Sequence, residues 1–291
     1  MHGLQALLAF SETAKRGGFA AAARELGTSA SALSKAVGRL EESLGLRLFH
    51  RTTRRVSLTA DGERLFHRCQ RVLAELEEMQ SEASGVRAAP SGTLRIDMPI
   101  VFGRMFVLPL LARLAEQHPG LEIDARFSDA YVDLIRDGID VAIRAGTMQD
   151  STLVARRFAS QQLVLVAAPS YLRALEDLSG HRHILFRMPT TGRERPQQFT
   201  VKRKTVSLHP ARGMRLNDGE AMVQAAVLGA GLTQVPDYMA AADLAAGRLV
   251  EVLAGHRPPE MAIYAVMPAS RMVPPRVRVL LDALEAWSHA K

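Results

Sequence analysis

Apolar residues recur at helical spacing in two short segments near the N-terminus. The first segment, Ala20–Leu26, is rich in alanine, the strongest helix former. Gly27 follows it and can take the left-handed conformation in which many helices end. The second segment runs from about Ala30 to Leu44, and Ser29 can cap its first turn. Its predicted buried stripe, at spacings of three and four, consists of Leu33, Val37, Leu40 and Leu44.

A basic hairpin is predicted directly after the second helix, over Leu46–Leu58. Three apolar residues can anchor it to the helices, namely Phe49, Val56 and Leu58. It also carries several arginines, of which Arg47 is the first. Two short helices, a tight turn and a basic hairpin together indicate a winged helix-turn-helix. The alternative is a solvated basic hairpin on an unrelated domain, which its position directly after the two helices disfavours.

This pattern also predicts which residues contact DNA. The N-terminal part of a recognition helix meets base edges, and the expected base contacts there are Ala30, Ser31, Ser34 and Lys35. Guanidinium groups on the hairpin suit phosphate oxygens, which set register without reading sequence. The expected phosphate contacts are Arg39, His50, Arg51, Arg54 and Arg55.

A long helix is predicted from Asp61 to about Ser84. Its apolar residues alternate at spacings of four and three for about three heptads, which is typical of a coiled-coil seam. The expected seam consists of Leu65, Cys69, Val72, Leu76, Met79, Ala83 and Val86. We interpret this segment as a dimerisation helix; the alternative is a helix packed on its own chain. Cys69 is expected to be a small buried apolar residue rather than a reactive thiol.

After a break at residues 88–92, strands and helices alternate, which predicts α/β subdomains with parallel sheets. The predicted strands are Thr93–Met98, Leu121–Arg126, Val141–Arg144, Leu163–Ala168, Ile184–Arg187, Thr233–Val235 and Ala262–Met267. The predicted helices are Arg104–Gln117, Ala130–Arg136, Ser170–Leu175, Asp218–Leu228, Asp237–Ala245 and Pro275–Ser288.

Length and charge support this division. A chain of 291 residues fits two or three domains. Residues 1–60 hold nine Lys or Arg against four Asp or Glu, so most of the net charge of +7 lies in the predicted DNA-binding part. One cysteine excludes an internal disulfide and fits a reducing compartment. With no signal peptide or apolar span in the pattern, a cytoplasmic protein without membrane contact is expected.

Several motifs in the first 62 residues together resemble the N-terminal domain of LysR-type transcriptional regulators. They include Gly18-Phe19, Ala22-Ala23, Arg39-Leu40-Glu41, Leu44-Gly45, Arg47-Leu48-Phe49, Leu58-Thr59 and Gly62. Weaker similarity continues to Gly247-Arg248-Leu249 and thus covers essentially the whole chain. One departure is Gly18, where the family usually places a serine, and this costs the following helix a side-chain cap.

The resemblance implies a fold and a set of partners. The fold is a mainly α winged helix-turn-helix domain (1–60) and a dimerisation linker helix with a hinge (61–91), followed by an effector-binding domain (92–291). The last is a two-lobed α/β domain resembling type 2 periplasmic-binding proteins, with lobe I at 92–163 and 268–291 and lobe II at 164–267. The implied partners are double-stranded DNA, a small organic effector, RNA polymerase and further copies of the chain in a homodimer or homotetramer. No metal, cofactor or catalysis is implied.

A ligand in an open α/β sheet binds beyond the carboxyl ends of the strands. The first such end is Pro99, Ile100, Val101 and Phe102, where family members often place serine or threonine to grip a carboxylate. The apolar residues here favour a ligand with apolar or aromatic surface, oriented through the following helix start. The other cleft positions implied by the resemblance are Phe127, Ser128, Ala145, Gly146, Arg187, Asn217, Gln234 and Val235. Arg187 either pairs with a carboxylate or is an ordinary surface arginine.

The leading hypothesis is a sequence-specific transcriptional regulator controlled by a small molecule between the two lobes. A second hypothesis is a DNA-binding regulator with a vestigial pocket, controlled by protein contacts alone. A third, from another class, is an enzyme or solute-binding protein with an incidental basic domain. The pattern holds no catalytic constellation and no export signal to support the third. The effector, the operator and the sign of regulation stay open.

Overall fold

The computed structural model describes residues 2–51, 56–83, 89–146, 153–172, 180–269 and 273–289. Its N-terminal part is helical and carries one antiparallel two-stranded hairpin. The elements are α1 (His2–Arg16), α2 (Phe19–Glu25), α3 (Ala30–Leu44), β1 (Phe49–Arg51), β2 (Val56–Leu58) and α4 (Ala60–Ala83). The predicted helix-turn-helix and hairpin are therefore present.

The turn between α2 and α3 follows from local chemistry. Gly27 takes a left-handed φ of 60°, and the Ser29 hydroxyl accepts the N–H of Ala32 at 3.2 Å as the N-cap of α3. Gly18 precedes α2 without a side-chain cap, as the substitution implies. The predicted stripe is wrong at Leu44, which is 44% exposed because it lies on the last turn of α3, just before the left-handed Gly45.

The N-terminal core continues into α4. Phe10, Val37 and Leu48 are fully buried at its centre. The first turns of α4 lie against the hairpin at Gly62, where any Cβ would collide with the carbonyl oxygen of Leu48. Cys69, two turns further along α4, belongs to the same core. The start of the long helix is thus part of the N-terminal domain in packing terms.

Lobe I is built on a five-stranded sheet in the order β4-β3-β5-β14-β6. Its strands are β3 (Gly92–Met98), β4 (Leu121–Phe127), β5 (Val141–Ala145), β6 (Leu153–Gln161) and β14 (Met261–Pro268). Its helical segments are α5 (Ile100–Phe102), a π-helical turn (Gly103–Val107), α6 (Leu108–Gln117), α7 (Leu134–Asp137) and α10 (Pro275–His289). Strands β3, β4 and β5 are parallel, so their carboxyl ends share one edge.

Lobe II holds a second five-stranded sheet in the order β11-β8-β12-β7-β13, beside a separate β9–β10 hairpin. Its strands are β7 (Leu163–Ala167), β8 (His183–Phe186), β9 (Gln197–Val201), β10 (Lys204–Leu208), β11 (Gly213–Leu216), β12 (Leu232–Pro236) and β13 (Val250–Val252). Its described α-helices are α8 (Gly219–Val227) and α9 (Asp237–Ala245), and a short 3₁₀ helix covers Ala254–His256.

The predicted division between the lobes at residue 267 is wrong. Strand β14 pairs with β5 and β6, so the chain returns to lobe I before Met261. Two segments therefore cross between the sheets, and Gln162 joins them: its side-chain amide donates to the Pro258 carbonyl at 2.8 Å. A strand-helix alternation cannot reveal this crossing, because β14 has the same apolar pattern whichever sheet it joins.

Some predicted elements differ from the structure. Strand β6 lies at a sheet edge and is mostly exposed, so it lacks the apolar run of a buried strand. The helix predicted over Ala130–Arg136 begins only at Leu134, because the Asp133 side chain caps the N–H groups of Ile135 and Arg136. In the helix predicted over Ser170–Leu175, residues 170–172 are not helical and the remainder lies outside the described residues.

Candidate DNA-binding surface and ligand cleft

The predicted base-contact residues share the outer face at the start of α3. Ala30, Ser31 and Lys35 are exposed there and Ser34 is half-buried. Among the predicted phosphate contacts, Arg39 and His50 are exposed, on α3 and on β1 respectively. Arg51 ends β1, although its side chain is not described. Arg54 and Arg55 lie outside the described residues.

A buried carboxylate fixes the hairpin against the recognition helix. Glu41 on α3 is 7% exposed, and its Oε1 accepts the N–H groups of Leu48 and Phe49 at 2.8 and 3.2 Å. Hydrogen bonds to an ionised acceptor are stronger than neutral ones. The sequence analysis used Glu41 only as part of a family motif. Its position on the buried face of α3, next to Leu40, could have indicated that its side chain is buried. Helix α3 and the hairpin are thus held in one geometry.

The predicted seam of α4 divides into two parts. Leu65 and Cys69 pack into the N-terminal core of their own chain, where burial raises the pKa of the Cys69 thiol to about 11. This end of α4 therefore packs on its own chain, which was the alternative to a dimerisation helix. Val72 is 45% exposed and Leu76 half-buried. The side chains of Met79 and Ala83 are not described, and Val86 lies outside the described residues.

A cavity of about 310 Å³ lies between the two lobes, at the carboxyl end of β3. Among the residues expected at a ligand site, six line it: Pro99, Phe102, Ser128, Ala145, Gly146 and Val235. They come from both lobes, so the cavity closes only when the lobes face each other. The fold thus brings together half of the residues that the sequence singled out.

The other six do not line this cavity. Val101 is buried and Ile100 half-buried, because consecutive residues of the helical turn face different directions. Phe127, Arg187 and Asn217 are exposed outside the cavity. Arg187 thus takes the position of an ordinary surface arginine.

Gln234 is buried and pairs with the backbone of β9: its amide accepts from Gln198 N–H at 2.9 Å and donates to Gln198 C=O at 2.7 Å.

The cavity also holds polar residues that sequence analysis missed. One of them is the half-buried Arg195, which lies in the loop before β9. It forms no ion pair with a described carboxylate; its guanidinium stacks over the Phe186 ring at 5.4 Å and donates to the Gln234 carbonyl at 3.3 Å. Burial lowers its pKa, against the attraction of Asp129 across the cleft. Lying in a loop with no periodicity, Arg195 gave no signal in the sequence.

Asp129 lies at the start of α5, where the sequence predicted that free N–H groups of the helix could bind an anionic ligand. Its Oδ1 accepts the N–H of Ile100 at 3.3 Å. Burial raises the pKa of Asp129, and the hydrogen bond from Ile100 opposes that change. A carboxylate of the chain itself therefore takes one donor of this helix start, which leaves Arg195 as the principal cation for a ligand.

A second arginine, Arg144 on β5, lines the cleft and already has an acidic partner. It pairs with the fully buried Asp97 on β3, and it lies 5.9 Å from the centroid of the Tyr131 ring at the cleft mouth. Because Asp97 already balances its charge, Arg144 offers a ligand hydrogen bonds rather than net charge.

Two polar contacts join the lobes, one in the cavity wall and one outside it. Tyr131 N–H donates to Thr190 Oγ1 at 2.6 Å, and Arg104 pairs with Glu220. The Arg104–Glu220 pair is half-exposed, so it contributes little to stability.

No helix in the described ranges combines the length and apolar content needed to cross a membrane.

Two family models match the chain. Residues 4–63 match the bacterial regulatory helix-turn-helix protein of the lysR family, and residues 87–288 match the LysR substrate binding domain.

Relatives align over almost the full length. The HTH-type transcriptional regulator PtxR of Pseudomonas aeruginosa is 37% identical, covering 97% of this chain and 91% of that protein. The regulator DmlR of Escherichia coli is 34% identical, covering 98% and 94%. The solved structure of CrgA, a LysR-type transcriptional regulator from Neisseria meningitidis, is 30% identical with a TM-score of 0.58, covering 97% and 98%. The chain belongs to the LysR family of DNA-binding transcriptional regulators.

Proposed function

We propose that this regulator binds DNA as a homo-oligomer in the cytoplasm and changes its DNA binding when a small organic molecule occupies the cleft between the lobes. The observation that carries the proposal is the cleft itself, a cavity of about 310 Å³ lined from both lobes and holding a half-buried arginine, Arg195, without an ion-pair partner among the described residues. A cation of this kind in a cleft is expected to bind a ligand's anionic or strongly polar group.

The chemistry of the lining narrows the ligand class. Phe102, Val235, Tyr238 and Met261 supply apolar and aromatic surface, while Arg195 supplies charge. The Ile100 N–H is already bonded to Asp129. We therefore propose a ligand with an apolar or aromatic body and one polar or anionic group directed at Arg195.

Control of DNA binding would follow from movement of the lobes. A ligand that contacts both lobes favours the arrangement in which its contacts are best, and it shifts the population toward that arrangement. In an oligomer this changes the spacing of the helix-turn-helix pairs, which must match half-sites about one DNA turn or a multiple apart. RNA polymerase is the further partner through which a bound regulator would act.

Thermal unfolding of the full chain against a panel of small organic molecules tests the ligand proposal, since a ligand that binds only the folded state raises the transition temperature. A hit is then measured by calorimetry on wild type, Arg195→Met and Arg193→Met. Arg193 is an exposed neighbour outside the cavity and serves as the matched control. We expect lost affinity only in Arg195→Met; equal affinity in all three places the ligand elsewhere. No hit in a broad panel favours the vestigial-pocket hypothesis.

The DNA proposal has its own test. Arg39→Ala should weaken binding to all sequences and reduce the salt slope of the association constant by about 0.9, the value of one phosphate contact on duplex DNA. Lys35→Ala should change discrimination among sites more than nonspecific affinity. Arg113→Ala, on the exposed surface of α6, is the control. An Arg39→Ala variant that changed only sequence preference would contradict the assigned roles.

A further inference from the structure

A second cavity, of about 530 Å³, adjoins the cleft between the lobes. Phe102 and Tyr238 line both cavities, so their rings form a shared wall. The remainder of the second cavity is lined mainly by β6 and by the C-terminal half of α10. The proposed effector site does not use this space.

Five aromatic rings form one part of the wall of this second cavity. Phe102 lies 5.0 Å from Phe106 and 6.1 Å from Trp287, and Phe158 lies 6.3 Å from Trp287, all as ring-centroid distances. The pairs are tilted or edge-to-face, which is the arrangement that aromatic rings prefer. Phe106, Phe158, Tyr238 and Trp287 are only half-buried. They keep ring surface that core packing does not cover.

The π-helical turn helps to create this arrangement. It begins at Gly103, between Phe102 and Phe106, and widens the helix there. Such turns are rare and occur often at functional sites. Both rings thereby reach Tyr238 of lobe II, at 5.8 and 5.3 Å.

The arginine and acidic side chains of this cavity balance one another. Arg156 forms an ion pair with Glu285 at 2.6 Å. Arg157 and Asp237 add one positive and one negative charge. A ligand with a net charge would therefore lose hydration without finding an excess of opposite charge, which is unfavourable. A neutral ring loses less.

We propose that this aromatic cavity is a second ligand site, which binds small uncharged planar aromatic molecules against Phe158 and Trp287. Its occupant also touches the shared wall of Phe102 and Tyr238. Any effect that it has on ligand affinity in the cleft must be matched by an equal effect of the cleft ligand on its own affinity. The second site is independent of the proposed effector site and can exist whether or not the cleft binds anything.

Trp287 makes the test direct, because it is the chain's only tryptophan. Emission excited at the red edge of tryptophan absorption therefore reports on this cavity alone. The full chain is titrated with benzyl alcohol, benzoate and benzylammonium, which share one ring and differ in charge. We expect a saturable change with benzyl alcohol and roughly tenfold weaker binding of both ions. No saturable change with benzyl alcohol, or equal or tighter binding of either ion, would overturn the proposal.

Two variants of α10 complete the test. Ser288 lines the cavity and Ala286 is exposed outside it, so Ser288→Phe fills the cavity and Ala286→Phe is its matched control. Benzyl alcohol should lose its effect in Ser288→Phe and keep it in Ala286→Phe. An unchanged titration in a folded Ser288→Phe variant contradicts the site. If that variant does not fold, Phe158→Leu replaces it, with several-fold weaker binding expected and unchanged binding as the contrary result.

Discussion

The ring of Phe102 in lobe I meets the ring of Tyr238 in lobe II edge to face, with the two centroids 5.8 Å apart. Each residue follows the carboxyl end of a strand and a helix-capping proline, Pro99 in one lobe and Pro236 in the other. The two lobes therefore present matching strand-to-helix corners to each other. Any change in the angle between the lobes must alter this ring contact, which separates the cleft from the aromatic cavity.

The Glu41 carboxylate should be a main support of the hairpin. Glu41→Ala leaves the N–H groups of Leu48 and Phe49 without this acceptor in a buried place. We expect the free energy of unfolding, measured in urea, to fall by about 2 kcal/mol or more. Glu42→Ala, at the exposed neighbouring position, should change it by less than about 0.5 kcal/mol. Equal losses in both variants would contradict the role of Glu41.

The oligomer interface on α4 should begin at Val72, since Leu65 and Cys69 already pack into their own domain. Val72→Glu would bury an unpaired charge between two helices, which is strongly unfavourable. Sedimentation of this variant should show monomer, as should that of Leu76→Glu. Arg68→Ala, exposed on the same helix, should sediment like wild type. If both glutamate variants stay fully oligomeric, the interface lies elsewhere.

Asp129 should cost stability at neutral pH. Burial raises its pKa in the folded state above the unfolded value, so the folded protein holds the proton more tightly and loses stability as pH rises between the two values. Asp129→Asn keeps an acceptor for the Ile100 N–H and removes the charge. It should raise the melting temperature at pH 7, with a gain that shrinks as pH falls toward the usual aspartate range. A gain independent of pH, or a loss at pH 7, would contradict this.

The Cys69 thiol should be inert in the folded protein. It is 2% exposed, and its pKa of about 11 keeps it protonated at neutral pH, whereas alkylation needs an accessible thiolate. Iodoacetamide should label the native chain very slowly and the chain in denaturant quickly, as followed by mass spectrometry. Comparable rates in both conditions would show that Cys69 is open to solvent.

The sequence predicted the parts of the fold that local chemistry controls. Ser29 caps α3 as predicted, because a serine hydroxyl at that position reaches its own helix start. The sequence did not predict that β14 joins the sheet of lobe I, since strand pairing across a hundred residues leaves no local pattern. Exposed strand β6 was missed for a related reason: an edge strand needs no apolar run.

The cleft could be predicted only as far as strand ends define it. Pro99 and Phe102 follow β3 directly, and they line the cavity as expected. Arg195 and Asp129 do not follow from any spacing, because they meet only when the two lobes face each other. Arg187 and Gln234 were chosen by analogy, but the first is exposed and the second is used to hold β9.

Anisotropy of labelled operator DNA, from the region upstream of the chain's own gene, tests most directly whether the cleft controls DNA binding. Wild type, Arg195→Met and Arg193→Met are titrated with and without a ligand that calorimetry has identified. All three should bind DNA equally without ligand, and the ligand should change the affinity by the same factor in wild type and Arg193→Met but leave Arg195→Met unchanged. A full ligand response in Arg195→Met would contradict control through this cleft.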